Sequence, residues 1–185
     1  MNLPTKITLL RVVLIPAYLF VYIVEPLSRT PNLWLAITIF SIAAITDAVD
    51  GYLARKYRLV TNFGKLIDPL ADKLLVCAAL VAFTASGALP AWAVIILISR
   101  EFYISGLRQL AVERGIVLAA SAGGKIKTAT QITLICYVLM PIEIFRFDWM
   151  VTVLLVITLI ASVLSAADYT VKNRAVFSQD KGTDS

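Results

Sequence analysis

The chain has 185 residues, of which 59% are hydrophobic and 16% charged. Soluble domains carry about 25% charged residues, so the composition excludes an ordinary soluble globule and predicts an all-α, polytopic membrane protein. The net charge of +5 comes with no basic run interleaved with aromatics outside the membrane flanks, so a lipid bilayer is the expected partner and nucleic acid is not. Histidine is absent, which removes imidazole catalysis and imidazole metal ligation and leaves oxygen donors suited to Mg2+, Mn2+ or Ca2+.

A membrane span needs about 20 mostly apolar residues. Six stretches qualify in chain order: 9–24, 33–54, 66–85, 91–110, 128–144 and 149–169. A short segment with Pro4 and Lys6 precedes the first and is expected to lie at the interface; no small-residue cleavage site follows it, so it does not read as a removable signal. One membrane domain is expected over residues 1–172, with a polar tail over 173–185. Cys77 and Cys136 both lie in apolar runs and are expected to be buried and reduced. Basic residues set the orientation. Lys6, Arg11, Arg55, Lys56, Arg58, Lys65, Arg108, Arg114, Lys125, Lys127, Lys172, Arg174 and Lys181 fall on one side, and Arg29 and Arg146 on the other. Both termini are therefore expected in the cytoplasm. Trp34, Trp92 and Trp149 fall near the opposite ends of their spans, as an interfacial aromatic belt requires.

Between the second and third spans runs DAVDGYLARKYRLVTNFGKLIDPLAD, from Asp47 to Asp72. A helix turns about 100° per residue, so Asp47, Asp50, Gly51 and Ala54 share an arc of about 100° with Arg55 at its edge. Asp68 and Asp72 are stacked on one face of the next span, with Gly64 a turn earlier. If the two helix ends meet, four carboxylates converge, and their repulsion calls for divalent cations. Two metals about 3.5–4 Å apart are the usual arrangement for phosphoryl-type chemistry. Gly51 and Ala54 leave room for a ligand to approach, or serve close helix packing; Arg55 alone reads as one more cytoplasmic charge.

The spacing D-x2-D-G-x2-A-R-x8-G-x3-D-x3-D resembles the motif of the CDP-alcohol phosphatidyltransferase family at every fixed position. The resemblance implies that Asp47, Asp50, Asp68 and Asp72 hold two divalent ions, Mg2+ or Mn2+, on the diphosphate of a CDP-linked lipid. It makes Asp72 the general base toward an acceptor alcohol, with CMP as the leaving group. Gly51, Ala54 and Gly64 then face the nucleotide, with Arg55 on its phosphates.

Basic residues outside the motif bear on the acceptor. Arg100 sits deep in the fourth span and should face the bundle, paired with Glu101 or a motif aspartate. Arg108 follows eight residues later, and Lys125 and Lys127 open the fifth span. If these line one pocket, it suits an anionic acceptor such as a sugar phosphate or glycerol phosphate; alternatively, the lysines and Arg108 are flanking charges. NLPTKITLLRVVLIP, LIDPLADKLL, REFYISGLRQLA and GGKIKTATQ look like bacterial phosphatidylglycerophosphate synthases over residues 2–131. This resemblance implies CDP-diacylglycerol as donor and sn-glycerol 3-phosphate as acceptor. It points to Arg108 and Lys125 for the acceptor phosphate, then Arg11, Arg100 and Lys127, with Thr8 near the nucleotide. A homodimer in the bacterial cell membrane, with its active site at the cytoplasmic face, is implied in the same way. Rival expectations are another acceptor (inositol phosphate or serine), a membrane prenyltransferase, and a divalent-cation transporter. The transporter predicts acids near mid-bilayer on several spans, whereas here four cluster at one surface.

Overall fold

A computed structural model describes residues 3–23, 33–46, 62–113, 115, 122–141 and 147–174, with side chains from residue 10 in the first helix and from residue 73 in the third. These residues form six helices and no strand: α1 (Leu3–Ile23), α2 (Leu33–Thr46), α3 (Asn62–Ala85), α4 (Ala91–Glu113), α5 (Ala122–Val138) and α6 (Asp148–Lys172). The all-α expectation holds, and two boundaries move. The amino-terminal segment is continuous with the first apolar stretch, because Pro4 falls in the first turn of α1, where a missing N–H leaves nothing unsatisfied. α5 begins at Ala122 and not at 128, so GGKIK belongs to its first turns. Among the described residues α6 alone is long and apolar enough to cross a membrane by length and composition; Leu10–Ile23, Leu33–Thr46 and Lys73–Ala85 are shorter apolar helical stretches.

The chain divides into two compact units. The first comprises Met1–Ala91 and Ile135–Phe147. In it α1 packs against α3, and α2 buries Leu33, Ala36, Phe40 and Ala43, one stripe at helical spacing. Tyr18 stacks on Tyr22 at 5.9 Å between ring centroids and meets Phe40 at 6.0 Å, while Tyr22 stands edge-on to Phe83 at 5.5 Å. Each such pair adds about 0.5–1.5 kcal/mol beyond area burial. The amides of Gly87 and Ala88 close α3 on the carbonyls of Thr84 and Phe83, at 3.1 and 2.8 Å. This cap requires the left-handed backbone that Gly87 adopts at φ 75°. Cys77 and Cys136 are half-buried rather than buried, and neither forms a disulfide.

The second unit comprises Trp92–Leu134 and Asp148–Ser185. α4 buries Ala93, Val94, Leu97, Ile104, Leu107 and Ala111. α6 is amphipathic in the inverted sense. Its buried face is Leu155, Thr158, Ser162, Ser165 and Tyr169, while Val156, Ile157, Ile160, Val163 and Leu164 are exposed. Polar groups inside and apolar groups outside suit a helix surrounded by hydrocarbon, where each polar group must find its partner within the protein. Trp34, Trp92 and Trp149 are exposed near the start of their respective helices, as the aromatic belt anticipates.

Candidate active site

The carboxylate motif is divided by the described residues. Asp47, Asp50, Gly51, Ala54 and Arg55 lie outside them. Gly64, Asp68 and Asp72 lie on α3 in successive turns, and the unbroken helix from Asn62 carries that register without a shift. Positions four apart have Cβ atoms about 5–6 Å from one another. Aspartate carries the hard oxygen donors that divalent cations such as Mg2+ and Ca2+ take. Among the side chains that are described, no group of three or more acids, cysteines or histidines forms a second candidate. Thr8 lies on α1, in the same unit as α3. Arg11, also on α1, is fully buried. A buried guanidinium in an apolar helix does not serve as a flanking charge, so Arg11 has an interior role.

Arg100, Arg108, Lys125 and Lys127 all lie in the second unit, and Glu101 brings Arg100 and Lys127 together. Arg100 lies inside as anticipated: its Nη1 meets Glu101 Oε1 at 3.3 Å, and its Nη2 donates to Ser165 Oγ at 2.8 Å. Ser165 donates its own proton to the Ser162 carbonyl, so its oxygen is left to accept from Arg100. Glu101 also pairs with Lys127 Nζ, whose side chain is 4% exposed. One carboxylate therefore lies between two buried cations. Burial excludes the flanking-charge reading for Lys127. Lys125, two residues earlier and about 200° round the helix, is exposed. Arg108 is exposed and lies over the Tyr169 ring, 5.6 Å from guanidinium carbon to centroid, with Nε donating to the Tyr169 hydroxyl at 3.2 Å. Among the described residues no carboxylate pairs with Arg108.

Three contributors escaped sequence reasoning. Ser165 and Tyr169 come from α6, a stretch that contributed nothing to the predicted site. The signal was there: Thr158, Ser162, Ser165 and Tyr169 recur at intervals of four, three and four along an apolar helix. The third is Gly123. A Cβ at that position would lie 3.2 Å from Ser165 Cβ and 3.5 Å from its Cα, tighter than ordinary contact, so glycine lets α5 approach α6 where Ser165 receives Arg100.

A helical chain whose last helix turns its polar residues inward, with two motif aspartates a turn apart in α3 and a partly neutralised basic cluster, has the makings of a membrane enzyme acting on phosphate groups. The chain belongs to the CDP-alcohol phosphatidyltransferase family, whose model matches residues 1–166. It is 44% identical to the CDP-diacylglycerol–glycerol-3-phosphate 3-phosphatidyltransferase of Bacillus subtilis, over 93% of this chain and 95% of that protein. Enzymes of the same name from Escherichia coli and Rickettsia bellii are 40% and 39% identical, covering 75% and 70% of this chain and 76% and 70% of their own lengths. The family uses divalent metal ions.

Proposed function

We propose that this protein transfers the phosphatidyl group of CDP-diacylglycerol to sn-glycerol 3-phosphate, giving phosphatidylglycerophosphate and CMP. The observation that carries the reading is the complete eight-position motif inside a family match over residues 1–166. It is supported by an arginine, Arg108, that has no carboxylate partner among the described residues. Asp47, Asp50, Asp68 and Asp72 would hold two ions of Mg2+ or Mn2+. When bound, these ions neutralise charge on the diphosphate and on the transferring phosphoryl group. Gly51, Ala54 and Gly64 leave the nucleotide room, Arg55 binds its phosphates, and Thr8 stands near it. Asp72 takes the proton of the acceptor hydroxyl. The freed oxygen attacks the lipid-side phosphorus, a new P–O bond forms, and the P–O bond to CMP breaks.

Arg108 and Lys125 bind the acceptor phosphate. Arg100 and Lys127, tied to Glu101, stand behind them and contribute their field rather than direct contact. Arg11 belongs to the unit that carries Asp68 and Asp72, which suits it to the phosphates of the donor more than to those of the acceptor. The remaining architecture is proposed with the function: six spans, both termini in the cytoplasm, the active site at the cytoplasmic face of a bacterial cell membrane, and a homodimer. The thirteen-to-two distribution of basic residues supports the orientation.

Purified protein with CDP-diacylglycerol and a panel of acceptors tests the reading. CMP release is expected with sn-glycerol 3-phosphate and not with serine or inositol phosphate, and is expected to stop with EDTA and return with Mg2+ or Mn2+. Release with another acceptor alone would reassign the substrate; activity surviving chelation would remove the metal role; metal flux in proteoliposomes without CMP release would favour a transporter. A narrower test concerns Lys125. Lys125→Ala is expected to raise KM for sn-glycerol 3-phosphate about tenfold, the equivalent of about 1.4 kcal/mol and in the range of one hydrogen bond to a charged group. An unchanged KM would return Lys125 to the flanking charges.

A further inference from the structure

We infer that Tyr169 of α6 is a positioning residue for the acceptor: its hydroxyl and ring fix the Arg108 guanidinium in the orientation that receives the acceptor phosphate. The inference rests on the acceptor-site reading of Arg108 and goes beyond it to a helix outside the motif.

Arginine recognises phosphate through a planar fork, and the fork is effective only when its plane is held. Arg108 is exposed on α4, at the end of a long flexible side chain. Left to itself it would sample many rotamers, and ordering it on binding would cost affinity. Tyr169 removes that freedom in two ways. Its ring lies under the guanidinium at 5.6 Å to the centroid, within the distance at which cation–π attraction operates. Its hydroxyl accepts from Nε at 3.2 Å. Nε is the nitrogen nearest the chain, so this contact orients the plane while consuming neither terminal nitrogen. Nη1 and Nη2 are left as a pair that can form a bidentate contact with phosphate.

Tyr169 is itself anchored, as a positioning residue must be. It is 3% exposed and packs with Ile104, Leu107 and Ala166. Asn173 closes the end of α6 on the Tyr169 carbonyl, by its backbone amide at 3.1 Å and its side-chain amide at 2.7 Å. One residue on, Thr170 donates to the Ala166 carbonyl at 2.8 Å, so the Tyr103 hydroxyl of α4 donates to Thr170 at 3.1 Å. That contact sets the register of α6 against α4. A turn deeper, Ser165 receives Arg100 in the same manner. The buried polar stripe of α6 therefore holds both arginines of α4, and of the two it is Arg108 that lacks a carboxylate partner among the described residues.

The test is a double-mutant cycle of Tyr169→Phe and Arg108→Ala, read as KM for each substrate, kcat and melting temperature in detergent. Tyr169→Phe deletes the hydroxyl and keeps the ring. It is expected to raise KM for sn-glycerol 3-phosphate about three- to tenfold, with KM for CDP-diacylglycerol, kcat at saturating acceptor and melting temperature unchanged. In the Arg108→Ala background, whose own KM for the acceptor is raised, the same change is expected to add nothing. An unchanged acceptor KM in Tyr169→Phe, or effects of the two substitutions that simply multiply, would overturn the positioning role while leaving Arg108 as the ligand. A rise in both KM values together with a lower melting temperature would make Tyr169 a packing residue only, and would also overturn it. If Arg108→Ala leaves the acceptor KM unchanged in an active enzyme, the acceptor-site reading fails and the inference fails with it.

Discussion

Asp72→Asn is expected to reduce CMP release by about 10²- to 10⁴-fold while leaving CDP-diacylglycerol binding within a few-fold of the unaltered protein. A positioned general base contributes about 10²- to 10⁴-fold. Asparagine keeps the size of the side chain and one carbonyl oxygen, and loses the basic site. Asp72 lies one turn beyond Asp68 on an uninterrupted α3, so the substitution leaves the helix and the donor-binding positions Gly51, Ala54, Arg55 and Gly64 as they are. Three of the four motif carboxylates also remain. Donor binding is measured by titration calorimetry on detergent-purified protein with Mg2+, and turnover by CMP release from both substrates. Normal turnover would remove Asp72 as the base. Loss of donor binding in parallel with turnover would assign Asp72 chiefly to cation ligation.

The helical register of one half of the motif was legible in the sequence because a helix has a fixed period. Gly64, Asp68 and Asp72 are separated by four residues each, and α3 needs only to continue past them for the face to exist. The interior pairing of Arg100 was legible for an energetic reason. An arginine flanked by IILIS and FYIS requires a partner in an apolar setting, and the adjacent Glu101 supplies it at 3.3 Å. What escaped notice depended on where helices begin and how they are rotated. With the fifth helix expected from 128, Lys125 and Lys127 read alike, as acceptor ligands or as flanking charges; with α5 starting at Ala122, Lys127 turns inward and Lys125 outward. Tyr169 and Ser165 were obscured by counting apolarity along α6 instead of reading its polar residues by angle. In lipid it is the minority polar stripe, and not the apolar one, that marks the packed face.

The same reasoning singles out Glu101 for stability. Glu101→Ala is expected to lower the stability of the protein by about 3–5 kcal/mol, the range for removing one partner from a buried ion pair. Its side chain is 16% exposed, against 12% for Arg100 and 4% for Lys127. The carboxylate interacts with a cation on its own helix and another on α5, and through Arg100 it is linked to Ser165 of α6. Without it, two buried positive charges face each other in surroundings that screen them poorly. Glu101→Gln, which keeps the shape and can still accept a hydrogen bond, should fall between Glu101→Ala and the unaltered protein. Lys172→Ala makes the contrast. Lys172 and Asp168 approach to 2.8 Å, closer than Arg100 and Glu101, yet their side chains are 67% and 42% exposed. An exposed i,i+4 pair of this kind contributes about 0.3–0.5 kcal/mol. Melting in detergent, followed by loss of monodisperse protein on heating, ranks the variants. Equal melting of Glu101→Ala and Lys172→Ala would show that the Glu101 pairs are hydrated and weak, and Arg100 and Lys127 would then return to the list of direct acceptor ligands.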